Sequence, residues 1–128
     1  MKYFTINELT RTSTGLDNTP SKDVQANLEY LVNNVLDKVR EIYGKPIKVN
    51  SGYRSKLVNK KVGGASNSQH TKGEAVDITG GNKTENKMIY EIIKNLGKYD
   101  QLINEYDYSW IHISYKNGNN RHQELSIK

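Results

Sequence analysis

Eight apolar residues, Val24, Leu28, Leu31, Val32, Val35, Leu36, Val39 and Ile42, recur at helical spacing between Ser21 and Gly44. A stripe of that length commits the chain to a long amphipathic helix, whose apolar face must be covered by another layer. Pro20-Ser21 opens the helix, with Ser21 as its cap, because a serine hydroxyl can accept from a free N–H of the first turn. Gly44 ends it, and Pro46 prevents it from resuming.

The covering layer is predicted downstream, in short alternating runs. From Pro46 to Ser51, Ile47 and Val49 point one way and Lys48 and Asn50 the other, as in a strand with one buried face. Ala75 to Thr79 is a second such run, with Val76 and Ile78 toward the core and Ala75 and Asp77 away from it. Gln101 to Glu105 is a third. In Trp110 to Tyr115, Ile111, Ile113 and Tyr115 share one face, while Trp110, His112 and Ser114 share the other. A last strand is predicted over Gln123 to Ile127. Gly80-Gly81 and Tyr106 to Ser109 read as turns, and Gly15 to Thr19 as a loop. Thr5 and Glu8 have the spacing of a capping box, which starts a short helix. Thr84 is the expected cap of a further helix with Met88, Ile89, Ile92, Ile93 and Leu96 on its apolar face, stopped by Gly97. This order predicts an α+β fold, with helices packed on a mainly antiparallel sheet in a single domain over residues 1–128.

A chain of 128 residues can bury a real core without disulfides, and this one has no cysteine. Thiolate metal sites are therefore excluded, and any zinc must be held by imidazole and carboxylate. Charged residues make up 26% and are of mixed sign, which argues against disorder. The nine tyrosines against one phenylalanine put polar tips on most large rings, which suits half-buried and substrate-facing positions. The net charge of +5 suits an anionic partner such as nucleic acid or a cell wall. No Arg/Lys cluster with interleaved aromatics is present, so nucleic acid is not the expected partner. No apolar run approaches the ~20 residues of a membrane span. Met1 to Thr10 lacks the apolar stretch of a signal peptide.

Residues 52–73 hold four glycines among many Ser, Asn and Lys, a long irregular stretch of the kind that carries function. His70 lies near its end. Asp77, seven residues on, projects from a strand on the face opposite its apolar neighbours, and His112 does the same far downstream. Two imidazoles and a carboxylate can converge on one zinc and leave a fourth position open. Singly, each has a plain structural reading: a surface histidine, a solvated aspartate, and a histidine packed beside Trp110.

The segments Ser51-Gly52-Tyr53-Arg54-Ser55, Val62-Gly63-Gly64, Ser68-Gln69-His70, Gly73-Glu74-Ala75-Val76-Asp77 and Trp110-Ile111-His112 resemble the M15 family of zinc peptidases. The likeness runs from Phe4, with Glu8-Leu9, to Tyr115, and is nearest the small, phage-associated branch related to D-Ala-D-Ala carboxypeptidases. The resemblance implies the hedgehog-like fold of D-Ala-D-Ala metallopeptidases and one zinc ion. It also implies cleavage of peptide bonds in peptidoglycan stem peptides, at D-Ala-D-Ala or in an L-Ala-D-Glu-type position. It assigns His70, Asp77 and His112 to the metal. Arg54 is assigned to substrate binding and polarisation near the scissile bond, where an ion pair within the loop is the structural alternative. Ser68 and Trp110 are expected at the substrate, with support of its own loop as the equal alternative for Ser68.

Many relatives carry an acidic general base three positions before the last histidine; here that position is Ser109. Glu105 is the expected base, with Asp107 as the alternative. Asn50, Gln69 and Ser114 are candidates for orienting the ligand rings. The resemblance and the absent leader together suggest a monomeric phage lysin, cytoplasmic until released to the wall, or a virion component. A non-catalytic wall-binding or virion structural module is the competing reading, and a metal-free signalling or nucleic-acid-binding domain a third.

Overall fold

The computed structural model describes every residue from Met1 to Lys128. A short helix α1 (Ile6–Thr10) begins at the expected capping box: the Thr5 hydroxyl accepts from Glu8 N, and Glu8 accepts from Thr5 N. The long helix runs as α2 (Lys22–Leu31), a π-helical turn (Val32–Leu36) and α3 (Asp37–Tyr43). It starts at the Ser21 cap and ends at Gly44 in the left-handed conformation. Strand β1 (Lys48–Ser51) follows, then helix α4 (Lys56–Lys61) and a single 3₁₀ turn (Gln69–Lys72). Strand β2 (Ala75–Thr79), helix α5 (Lys83–Leu96) and strands β3 (Gln101–Glu105), β4 (Trp110–Ser114) and β5 (Gln123–Ile127) complete the chain.

The strands form one sheet in the order β1-β2-β4-β3-β5. All neighbours are antiparallel except β3 and β5. The helices cover one face. Leu28, Leu31, Val32, Val35, Leu36 and Val39 from the long helix, with Ile89 and Ile93 from α5, pack in one cluster with Val76, Ile78, Leu102, Ile111 and Ile113 of the sheet. Burying one such side chain contributes roughly 1.5–3 kcal/mol, so the shared layer dominates stability. The mixed α+β architecture expected from the sequence is the one observed.

Several local expectations are corrected. Ile42 is 62% exposed and Tyr43 is buried in its place. The π turn accommodates an extra residue, and this shifts the buried face beyond it. The cap of α5 is Asn82 rather than Thr84. Met88 is exposed on that helix, while Asn86, Ile89, Tyr90 and Ile93 are buried. The buried phase therefore includes a polar residue, which an apolar count passes over. Asn86 accepts from the Thr79 hydroxyl and Gly80 N and donates to the Tyr108 and Ser109 carbonyls, so nothing is left unpaired. The segment 52–73 is not wholly irregular, because Ser55 caps α4 there. Ala75 is buried like its neighbours Val76 and Ile78.

Candidate metal centre

The face of the sheet away from the helices carries the polar residues. Directly opposed residues in a sheet share a face, and the register aligns Ser51, Asp77, His112 and Ile103 in one row. The adjacent row contains Trp110 and Glu105. Asp77, His112 and Glu105 therefore project to the same side by strand alternation alone.

His70 reaches this face from the 3₁₀ turn, whose first N–H groups are held by Ser68: its hydroxyl accepts from His70 N at 3.1 Å. The ring is almost fully buried, at 2% exposure. Its Nδ1 donates to the Gly52 carbonyl at 2.7 Å, since a carbonyl can only accept. That bond leaves Nε2 as the free lone pair, and Nε2 lies 3.4 Å from Asp77 Oδ1. His112 Nδ1 lies 3.0 Å from the same oxygen. The three donor atoms are all within 4.8 Å of one another. Two imidazole nitrogens and a carboxylate, gathered on one oxygen and oriented by a backbone carbonyl behind, are a donor set that fits zinc.

Burial acts to raise the Asp77 carboxyl pKa. The close approach of the two imidazoles, His112 first and then His70, and the positive charge the rings carry when protonated outweigh it and hold the carboxyl well below its ordinary range. The carboxylate is thus kept ionised, as a ligand must be.

The expected orienting residues do not touch the rings. Gln69 donates to Asp100 at 3.1 Å, Ser114 accepts from Gln101 N at 2.9 Å, and Asn50 is exposed on β1. The partner of His70 is a main-chain carbonyl, which no residue type in the sequence announces. Gly52 is required there for space: a Cβ would come within 2.2 Å of the Leu9 carbonyl oxygen, where α1 crosses the strand end.

The centre lies in a cleft of about 410 Å³ that also includes Arg54, Ser68, Ile103, Glu105 and Arg121. Arg54 is positioned by its flanks. Arg54 N donates to the His70 carbonyl at 3.0 Å. Buried Asn18 donates to the Tyr53 carbonyl at 2.9 Å and accepts from Ser55 N at 2.6 Å. The Arg54 Nε is buried without a hydrogen-bond partner. Burial lowers the guanidinium pKa and the Asp77 charge raises it. A half-buried cation with an unpaired donor beside a metal-ligand set is suited to an anionic ligand, and no ion pair of the loop engages it.

Glu105 has its carboxyl pKa raised, first by burial and then by the Asp77 charge. The charges of His112 and His70 oppose this, and so does the nearby Trp110 indole, although its N–H completes no hydrogen bond. Asp107 is 74% exposed, outside the cleft, and paired with Lys83 at 2.6 Å. Ser109 donates to the Tyr106 carbonyl. Of the two acids considered, only Glu105 faces the centre. The turn that joins it to Trp110 is left-handed, with Tyr106, Asp107 and Tyr108 at φ of 50°, 56° and 62°. Each such residue costs on the order of 1–2 kcal/mol, and the Asn86 bonds to the carbonyls of Tyr108 and Ser109 hold the turn in place. Trp110 packs against Tyr106, with ring centroids 5.1 Å apart, rather than on the metal ligands.

Sequence reasoning missed Asp100 altogether, because an isolated aspartate carries no spacing signal. It is fully buried and accepts from Arg121 N at 2.8 Å, from Arg121 Nη2 at 2.7 Å and from Gln69 beside His70. Burial raises its pKa, but the Arg121 bonds and the charges of Arg121 and Lys116 bring it down to about 2. A carboxyl depressed in the folded state contributes stability that is present above its ordinary pKa near 4 and lost as the pH falls toward 2. The contribution is on the order of 2–2.5 kcal/mol. Asp100→Asn is expected to lower Tm at neutral pH by roughly 5–10 °C and to flatten the loss of stability below pH 4, as followed by circular dichroism melts. An unchanged melting profile between pH 4 and 2 would show that the pair is not coupled to folding.

No helix is long and apolar enough to cross a membrane. A 49-residue segment is 49% identical to the zinc D-Ala-D-Ala carboxypeptidase of Streptomyces albus G, covering 38% of this chain and 19% of that relative. The sequence profile described as Peptidase M15 matches residues 2–114, the span that contains Arg54, His70, Asp77, Glu105 and His112. The chain belongs to the Peptidase M15 family.

Proposed function

We propose that this protein is a zinc-dependent peptidase that hydrolyses an amide bond of peptidoglycan stem peptides. The observation that carries the reading is the convergence of His70, Asp77 and His112 donor atoms within 4.8 Å, in a cleft shared with Arg54 and Glu105. His70 Nε2, a carboxylate oxygen of Asp77 and His112 Nδ1 would hold the zinc. When bound, the zinc supplies Lewis acidity toward the scissile carbonyl and the attacking water. Glu105 takes the proton of that water and returns it to the leaving amine, a role for which a carboxyl raised above its ordinary pKa is suited. Arg54 directs its unpaired donor to the developing oxyanion or to a substrate carboxylate. Ser68 acts mainly through the turn that presents His70, and Trp110, opposite Glu105 in the strand register but outside the cleft lining, meets the substrate at the rim. Family membership and the zinc carboxypeptidase relative support a metallopeptidase. The peptidoglycan substrate, action as a monomer, and a place in the small phage-associated branch as a lysin or virion component are further parts of the proposal.

The test is mass spectrometry of purified peptidoglycan fragments incubated with zinc-loaded protein, beside a chelated control. Metal-dependent loss of a terminal D-Ala identifies a carboxypeptidase, and a stem split at L-Ala-D-Glu an endopeptidase. Unchanged fragments with zinc confirmed bound would overturn the catalytic reading in favour of a wall-binding or virion structural module.

A further inference from the structure

A second cavity, of about 740 Å³, lies between residues 11–14, strand β1 and helix α4. It is larger than the metal cleft, and Arg54 lines both. It contains no histidine, aspartate or glutamate, so it has neither a metal set nor an acid–base pair. Its capacity is for binding.

Four consecutive residues of β1, Lys48, Val49, Asn50 and Ser51, line it. Their side chains alternate across the sheet, and Val49 is 4% exposed, within the core. What the four share toward the cavity is the main-chain edge. Strand β1 is the end strand of the sheet and pairs only with β2, so its other edge carries no strand; α1 crosses it only beyond Ser51, where Tyr53 N donates to the Leu9 carbonyl. A register shift leaves Asn50 without a partner on β2. An open edge of this kind accepts an extended peptide as an added strand, with main-chain hydrogen bonds for affinity. Four residues offer roughly 10–13 Å of such an edge.

The charge of the cavity selects the peptide. Arg11, Lys48 and Arg54 line it, with no carboxylate among the lining residues. Asp17, near enough to Tyr53 to raise its pKa, is outside the lining and accepts from Thr19 instead. The two cavities are also continuous in register, because Ser51 at the end of β1 opposes Asp77 of the metal centre.

We propose that this groove docks an extended, carboxylate-bearing peptide as an added strand on β1, with its acidic groups on Arg11, Lys48 and Arg54. That the docked peptide is the continuation of a substrate reaching the metal rests on the peptidase reading; docking itself does not.

The experiment is an amide NMR titration of the full zinc-loaded chain with an acetylated pentapeptide of alternating glutamate and alanine. Its lysine-for-glutamate counterpart and a backbone N-methylated version are the controls. The expected result is shifts centred on the amides of 48–51, with both controls weaker by about tenfold or more. Arg11→Glu with Lys48→Glu should weaken the acidic peptide by about tenfold, with zinc content and the remaining spectrum retained. Equal binding of acidic and lysine peptides, shifts confined to His70 and His112, or no shifts at all would overturn the proposal. Because the readout is binding, an inactive protein that docks the peptide would sink only the peptidase reading. An active one that does not dock it would sink only the groove.

Discussion

Glu105→Gln is expected to leave zinc binding intact and to lower kcat on a cleaved stem peptide by about 10²–10⁴-fold. Glutamine keeps the size of the side chain and its place in the row with Trp110, so the sheet is undisturbed. What it loses is the ability to accept a proton from water and return it to the amine. No group within the cleft replaces it: Asp107 is held by Lys83 on the outside of the turn, and Ser109 is engaged with the Tyr106 carbonyl. Because the change falls on a proton transfer, KM should move much less than kcat. Zinc content by atomic absorption and steady-state kinetics on the same preparation check both halves. Full activity with one zinc per chain would remove Glu105 from the mechanism, and the matching test on Asp107→Asn would then show whether the exposed acid does the work.

The largest expected loss is at the centre itself. Asp77→Asn should reduce zinc affinity by more than the ~10–100-fold typical of losing an outer partner of a ligand, and reduce hydrolysis to background. Asp77 is the hub: one of its oxygens faces both His70 Nε2 and His112 Nδ1. An amide there carries no charge to offset the metal. Its NH₂ group, if turned inward, presents hydrogens to two nitrogens that should face the cation. The chain should still fold, because the core residues flanking Asp77, Val76 and Ile78, are untouched. Competition with a chromogenic chelator measures the affinity directly. Near-normal zinc binding in this variant would mean that the metal, if any, is held elsewhere.

The elements most legible in advance were those with strong periodicity. The helix from Ser21 to Gly44 and the strand at Trp110 were both readable, because a long stripe at period 3.6 and a clean alternation at period 2 admit few other structures. The cap of α5 and the exposure of Ile42 and Met88 were not. A π turn and a buried asparagine change which side of a helix faces inward without altering the apolar count. Helix α4 was hidden by the glycines and polar residues around it.

Residue chemistry and alternation alone determined the α+β class, the absence of thiolate ligands, and the side of the sheet on which Asp77 and His112 stand. Facing in a strand is set by a two-residue period, and that is a local property. What only the tertiary structure decided is which groups meet across long sequence separations. The Gly52 carbonyl orients His70, Asn18 clamps the loop that carries Arg54, Asp100 ties Arg121 beside the cleft, and Glu105 rather than Asp107 faces the centre. These partners are main-chain atoms or lone polar residues with no pattern of their own. They are brought together by the packing of α1 against β1, the strand register and one strained turn, none of which local spacing encodes.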